Sequence, residues 1–572
     1  MTFEHPAPTH IASRGEPTDD DIRSYRSALD SSKLDLAEIQ DAIRKLEKRR
    51  EMVESTVTSY KALLSPIRRL PRDMLEEIFL HCLPIQCGVM SSQEAPLLLG
   101  RVCSWWREAA YSTPALWSSV HGVLSLDQDE SDFMVKQNAI ASWIERSKSL
   151  PISISIAMPQ CSCCIMGDHA AVNRLRDAMS VLTKFSARFQ NLELRDAQLV
   201  SAFLTREITP GEFSQLKTLA IRFDPIRDPD RSADGQDALA PFLSTTKNLR
   251  RLSLTLRLSG VDALDLAIPA ALLDLRINTF LPASRIITSL QRFPELINLS
   301  LSIELSQEDL EAAENASAEP PALLEFPRLQ ALTVYSTRYL QNTAQVLSSI
   351  SVPRLRHLSC HYTGWYPDPD NPSQNSFLPA TPYSLQSLSY TVSPVSCYEL
   401  TEYLASRSDL RRLRIIEPIF WDPSRTEISE TEPNIAIPSE SGDNVHLLQV
   451  LTTTTKLCPK LETLEWPYFR HPVEPLSIIQ FVKSRIDTPL RELKFGFCSN
   501  ISVEKEALLQ EFASQQEAAG VHCDFHFPFV YCSPPPFVSP YYGLEPSSFS
   551  SRYPGDNYGG VDDGLDWPGT TF

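Results

Sequence analysis

The stretch Leu410–Ile415 reads LRRLRI. Its spelling, apolar-x-x-Leu-x-apolar, recurs along the chain. FQNLEL starts at Phe189, LKTLAI at Leu216, LRRLSL at Leu249, LLDLRI at Leu272 and LINLSL at Leu296. LQALTV starts at Leu329, LRHLSC at Leu355, LQSLSY at Leu385, LETLEW at Leu461 and LRELKF at Leu490. Most starts lie 23 to 33 residues apart. Within each copy the apolar positions alternate with polar ones, which is the period of a strand with one buried face. Helix-like stretches precede several copies, as in ASRIITSLQRFPE (Ala283–Glu295) and SCYELTEYLASRSD (Ser396–Asp409). One strand and one helix cannot bury their own apolar faces, so such units stack on their neighbours into a continuous core.

This pattern resembles leucine-rich repeats, in an irregular form that lacks the consensus asparagine after the strand. The resemblance implies an α/β fold, with an irregular repeat solenoid (a horseshoe) over residues 121–530. Glu- and Pro-rich segments near 308–321 and 417–444 break the period and are expected to be insertions. The residues flanking each central leucine are polar or small, as a solvated concave sheet requires. Examples are Arg251/Ser253, Asp274/Arg276, His357/Ser359 and Arg412/Arg414. Arg251, Arg276, His357, Arg412 and Arg414 are the candidate substrate-facing residues, suited to an acidic or phosphorylated ligand.

Upstream, Ile22, Tyr25, Leu29, Leu36, Ile39, Ile43, Leu46, Val53, Val57, Tyr60 and Leu64 follow alternating steps of three and four, interrupted only by Ser32 and Arg50. That is a heptad register, and it predicts a coiled-coil helix over 22–64, roughly 60 Å long. Ser65-Pro66 ends it. The seam needs cover, either from a second copy in a homodimer or from the body of this chain. Residues 1–21 and 531–572 are rich in polar residues and proline and are expected to be disordered.

Between helix and repeats lies PIRRLPRDMLEEIFLHCLP (Pro66–Pro84), followed by APLLLGRVCSWWREAAYSTPALWSSV (Ala95–Val120). Pro71 suits a first helical position, and Asp73, Glu76 and Glu77 favour the positive end of the helix dipole. Leu75, Ile78, Phe79 and Leu83 share one side at helical spacing. Leu70-Pro71, Leu75, Ile78 and Phe79, then Val102-Cys103 with Trp106-Arg107, then Leu116-Trp117, resemble the F-box pattern in order and spacing. With the preceding heptad helix and the phrase LLLGRVCSWWREAA, the arrangement is similar to the large F-box families of mushroom-forming fungi. Trp105, where a basic residue is commoner, and the long loop from Pro84 to Glu94 depart from the pattern. The resemblance implies a short all-α F-box over 65–120 that docks on the Skp adaptor and, through it, on a cullin. The residues it assigns to adaptor binding are Pro66, Ile67, Leu70, Pro71, Leu75, Ile78, Phe79 and Leu83. It implies a non-catalytic substrate receptor of a ubiquitin ligase with an unknown protein substrate. The alternative is an adaptor-binding scaffold without ligase duty. Trp106 and Trp117 are expected in the core.

Composition narrows the field. A formal net charge of -18 argues against nucleic-acid or anionic-membrane binding. No apolar run approaches the ~18 residues of a membrane span, and no secretory signal pattern opens the chain. The 12 cysteines are scattered, which fits reduced thiols in the cytoplasm or nucleus. The densest cluster, Cys161–Cys164 with His169, lacks the paired C-x-x-C spacing of structural zinc sites, so an exposed thiol-rich loop is expected there and no metal. No nucleophile elbow, zinc-protease helix, phosphate loop or dinucleotide fingerprint is present. No catalytic residue and no cofactor are expected.

Overall fold

The computed structural model describes residues 18–526, apart from 85–87, 127–129, 159–168, 205–210, 223–232, 256–267, 282–288, 304–323, 337–346, 348, 363–383, 392–396, 417–442, 455–456, 470–474, 498–502 and 519. The expected disorder at 1–17 and 531–572, the insertion at 308–321, nearly all of that at 417–444 and the Cys161–Cys164 loop lie outside the described residues, whereas residues 18–21, also expected to be disordered, form the start of a helix. The chain divides into two compact units, Met1–Ile78 and Phe79–Phe572.

In the first unit, helix α1 spans Asp19–Leu64. It starts three residues before the expected Ile22, because Thr18 closes a capping box with Asp21. Thr18 Oγ1 accepts from Asp21 N at 3.4 Å, and Asp21 Oδ2 accepts from Thr18 N at 3.0 Å. Asp19, Asp20 and Asp21 add negative charge where the helix dipole is positive. The helix ends at Ser65, and Pro66–Arg69 form a single 3-10 turn. Helix α2 spans Arg72–His81, and the division between the units falls inside it.

The second unit is built on one large parallel sheet. Its strands are β1 (Ser119–Val123), β2 (Ile152–Ala157), β3 (Phe189–Arg195), β4 (Thr218–Arg222), β5 (Arg251–Thr255), β6 (Asp274–Leu281) and β7 (Asn298–Ile303). They continue with β8 (Leu324–Glu325), β9 (Ala331–Ser336), β10 (Ile350–Ser351), β11 (His357–Tyr362), β12 (Ser387–Thr391) and β13 (Arg412–Ile416). The last are β14 (Thr463–Phe469), β15 (Glu492–Phe497) and β16 (His522–His526). Among the described residues, fourteen strands pair parallel in chain order, while β8 and β10 form a separate two-stranded sheet. The strict order follows from the sequence period: each copy can bury its leucines only on the copies before and after it.

The register makes this explicit. Leu192, Leu219, Leu252, Leu275 and Leu299 are Cα partners in succession, and Leu332, Leu358, Leu388, Leu413, Leu464 and Leu493 continue the line. Each is buried. In the large sheet the residue before each strand from β4 to β14 repeats one hydrogen-bond pattern. Gln386 O, for instance, accepts from Arg411 N at 2.8 Å and from Arg412 N at 3.0 Å, and Arg411 O then accepts from Glu462 N and Thr463 N. The sheet begins earlier than the spelled repeats, because β1 and β2 join it ahead of the copy at Phe189. Ser119 and Val120, expected to close the all-α segment, are the first residues of the sheet.

Helices α3 (Leu99–Val102), α4 (Ser104–Ser112) and α5 (Glu130–Arg146) surround this first edge. Trp117 is fully buried and its Nε1 donates to Ala110 O at 2.8 Å. Its ring meets Trp143 edge-on at 4.9 Å, and Trp143 Nε1 donates to Ser119 O at 3.1 Å. The indoles therefore bury area while their single donors stay satisfied. At Gly122 a Cβ would lie 2.5 Å from Ile140 Cδ1, so α5 rests on β1 where the strand has no side chain. Among the described residues no helix is long and apolar enough to cross a membrane.

Candidate functional site

Two surfaces collect the residues expected to bind partners. The first is α2 with its lead-in. Leu70 is extended at φ -65° and ψ 133°, and Leu75 N donates to Pro71 O at 3.1 Å, which fixes how the chain enters the helix. Helical spacing then sets two apolar stripes side by side. Leu75 and Phe79 form one and are fully buried; Met74 and Ile78 form the other and are 53% and 39% exposed. Pro66 and Pro71 are exposed, while Ile67, Leu70 and Leu83 are half-buried. The expectation that Leu75 and Phe79 contact a partner is therefore corrected: both are spent on this chain's own interior. A ten-residue helix with one core-facing stripe leaves the adjacent i, i+4 stripe outside. Phe79 packs on Trp106 at 4.9 Å between ring centroids. Trp106, expected in the core, is half-buried, as is Trp105.

The second surface is the polar face of the sheet. Arg276, Ser300, Thr333, Ser359, Ser389 and Arg414 are Cα partners from β6 to β13 and form one row across the strands. A hydroxyl ladder is thus bracketed by two guanidiniums. The solvated face expected from sequence is not what forms. Ser300 is 5% exposed, Thr333 and Ser359 are fully buried, and Ser389 is 1% exposed. Short side chains on strands ~4.8 Å apart sit below the longer residues two positions away on the same face. Those longer residues are His357 and Arg412 on one side, Tyr335 and His361 on the other. Among the described residues, Thr333 Oγ1, Ser359 Oγ and Ser389 Oγ have no hydrogen-bond partner, nor do the two ring nitrogens of His361. His361 stacks on Tyr335 at 5.0 Å. Burial, helped by the charge of Arg414, pushes its pKa down to about 3, so the ring is neutral. His357 is half-buried and its pKa is also lowered, by burial and then by Arg412 and Arg356.

The five expected substrate-facing residues fall into two groups. Arg251 pairs with Asp274 at 2.7 Å, one strand over, and Arg276 lies in the same pair of strands. Arg414 lies 3.7 Å from Glu465, and Arg412 is exposed at the start of the same strand as Arg414. His357 lies two strands from Arg412, with Ser387 between them.

Sequence reasoning missed a third cluster, on the first strands. Ser155 Oγ donates to Glu193 Oε2 at 2.9 Å, and His121 Nδ1 lies 3.0 Å from Ser155 Oγ. Arg195 and Arg222 flank Glu193 Oε1 at 2.9 and 3.2 Å. Burial raises the pKa of Glu193, but the two guanidiniums and Ser155 outweigh it and hold the carboxyl below its ordinary value. The hydroxyl sits between imidazole and carboxylate, whereas activating a serine nucleophile requires the imidazole in the middle. The cluster therefore works as a buried charge-compensated tie across β1 to β4. Its signal was positional: His121, Ser155 and Glu193 occupy one register row, visible only once β1 and β2 count as copies. Among the described residues, no group of three His, Cys, Asp or Glu could hold a metal ion.

No protein-family model matches the chain, and no curated protein matches it. A crystal structure of a Bacteroides fragilis protein, a structural-genomics target, aligns with 71% of this chain and 73% of its own at 12% identity, with a TM-score of 0.22. At that score the likeness carries no inference. The class that the coordinates define is a mixed α/β protein with a long N-terminal helix and a large parallel sheet.

Proposed function

We propose that this chain is a substrate receptor of a Skp–cullin–F-box ubiquitin ligase, acting in the cytoplasm or nucleus without bond chemistry of its own. The exposed stripe of α2, with Pro66, Ile67, Leu70 and Pro71, docks on the Skp adaptor. The parallel sheet is an irregular leucine-rich-repeat solenoid, and its polar face holds a protein substrate through Arg251, Arg276, His357, Arg412 and Arg414, which stand taller than the buried hydroxyl row. The receptor raises the local concentration of substrate beside the ubiquitin-loaded enzyme.

The observation that supports this reading best is the doubled apolar stripe of α2. A helix that already fills its own core with Leu75 and Phe79 still presents Met74 and Ile78 to the outside, and a few such anchors carry most of an interface's energy. The test is co-expression with a Skp adaptor and a cullin. Wild-type chain captures both. Leu70→Ala with Pro71→Ala loses the adaptor while the melting temperature is kept; retained capture overturns the reading. Adaptor without cullin identifies the scaffold alternative.

A further inference from the structure

The heptad seam of α1 leaves a long run of apolar side chains open. From Leu29 to Leu64 its apolar members are 45% to 70% exposed, Ile39 at 57% and Leu46 at 65% among them. We propose that a second copy of this chain covers it, as an antiparallel coiled coil centred on Asp41.

The two residues that break the seam, Ser32 and Arg50, select the direction. In a parallel pair each seam residue faces its own twin, which would set Arg50 against Arg50 in the interior. An antiparallel pair centred on Asp41 instead sets Arg50 against Ser32 of the second copy. Arg50 then spans a small polar neighbour, and it already reaches out of the seam, with Nε 3.7 Å from Glu54 Oε1. The layers nearest the centre join Ile39 with Ile43 and Leu36 with Leu46. Both polar breaks are used up on each other, and no apolar layer is left facing a charge.

The charges beside the seam agree independently. The same centre places Asp19 near Lys61, Arg26 near Glu54, Lys33 near Glu47 and Asp35 near Arg49, each twice by two-fold symmetry. No like-charge pair arises. The parallel alternative keeps two attractive sets, Asp21 with Arg26 and Arg49 with Glu54, where the antiparallel pair has four, and it leaves Lys33 and Glu47 against Ala28 and Ala42. The intrahelical ion pairs of Asp41 with Arg44 and Lys45, at 3.4 and 2.7 Å, lie on the outer side of the helix and do not compete. Charge complementarity beside a shared seam is what selects partner and direction in coiled coils. This inference does not depend on the adaptor reading.

Sedimentation equilibrium of the full chain over a concentration series tests it, with circular dichroism checking that helix content is kept. Wild type dimerises. K33E and E47K each turn two attractive contacts into repulsive ones and weaken self-association by about tenfold. The double variant K33E/E47K restores it to near the wild-type value, because the exchanged charges meet again. Residues 33 and 47 lie roughly 21 Å apart along one helix, so the recovery cannot arise within one chain. A wild-type chain that stays monomeric overturns the proposal. So does a dimer that the single variants leave unchanged, or one that the double variant fails to recover.

Discussion

Helix α2 offers a contrast between two adjacent stripes that separates folding from binding. The perturbation is Met74→Glu with Ile78→Lys, set against Leu75→Ala. Met74 and Ile78 are 53% and 39% exposed, which leaves about 100 Å² and about 70 Å² of apolar surface for a partner to cover, worth about 4 kcal/mol together at 25 cal/mol per Å². Losing that contribution weakens adaptor binding by about a thousandfold. The same double change introduces Glu four residues before Lys, the favourable order on a helix surface, so stability should move by no more than about 0.5 kcal/mol. Leu75→Ala acts the other way. It opens a cavity at a fully buried position and should cost about 2–5 kcal/mol of folding stability. Titration calorimetry or biolayer interferometry against a purified Skp adaptor reads the first effect, and urea denaturation reads the second. Undiminished adaptor binding by the Met74/Ile78 variant would refute the reasoning, because no other exposed stripe of α2 is apolar.

The buried imidazole at His361 predicts an acid sensitivity. Its pKa is about 3 in the folded chain and ordinary in the unfolded one. Stability is therefore complete above about pH 6.5 and falls as pH drops toward 3, by up to about 1.4 kcal/mol per pH unit. His361→Phe keeps a ring against Tyr335 and removes the titration, so its stability relative to wild type should improve by about 2 kcal/mol between pH 7.5 and pH 5 in parallel urea melts. Equal loss in both proteins would exclude the mechanism. Arg485 is 1% exposed and donates to Leu451 O at 2.8 Å, Leu457 O at 2.9 Å and Cys458 O at 3.3 Å. Arg485→Met strands those carbonyls, and after crediting the recovered desolvation of the guanidinium the net cost is about 3 kcal/mol. A lowered urea midpoint checks it.

The sequence by itself determined whatever depends on period. The spacing of Leu216, Leu249, Leu272 and their successors specified strands that pair in order, because a side chain's face follows from its number along a strand. The steps from Ile22 to Leu64 specified α1 in the same way, but its first turn was not read, because the cap of Thr18 with Asp21 lies in a polar stretch expected to be disordered. What the sequence left open was which apolar stripe of a two-striped helix turns inward. Met74 and Leu75 are equally greasy neighbours, and only packing chose Leu75. Nor could composition show that Thr333, Ser359 and Ser389 would sink out of solvent. Their burial depends on taller residues of the same face, on their own strand and on adjacent strands that lie far away in sequence. The tie between His121, Ser155 and Glu193 was hidden for the same reason: its members become adjacent only when separate strands align. Local periodicity fixes direction along the chain, whereas burial is a property of the assembled surface, and only the tertiary structure assembles it.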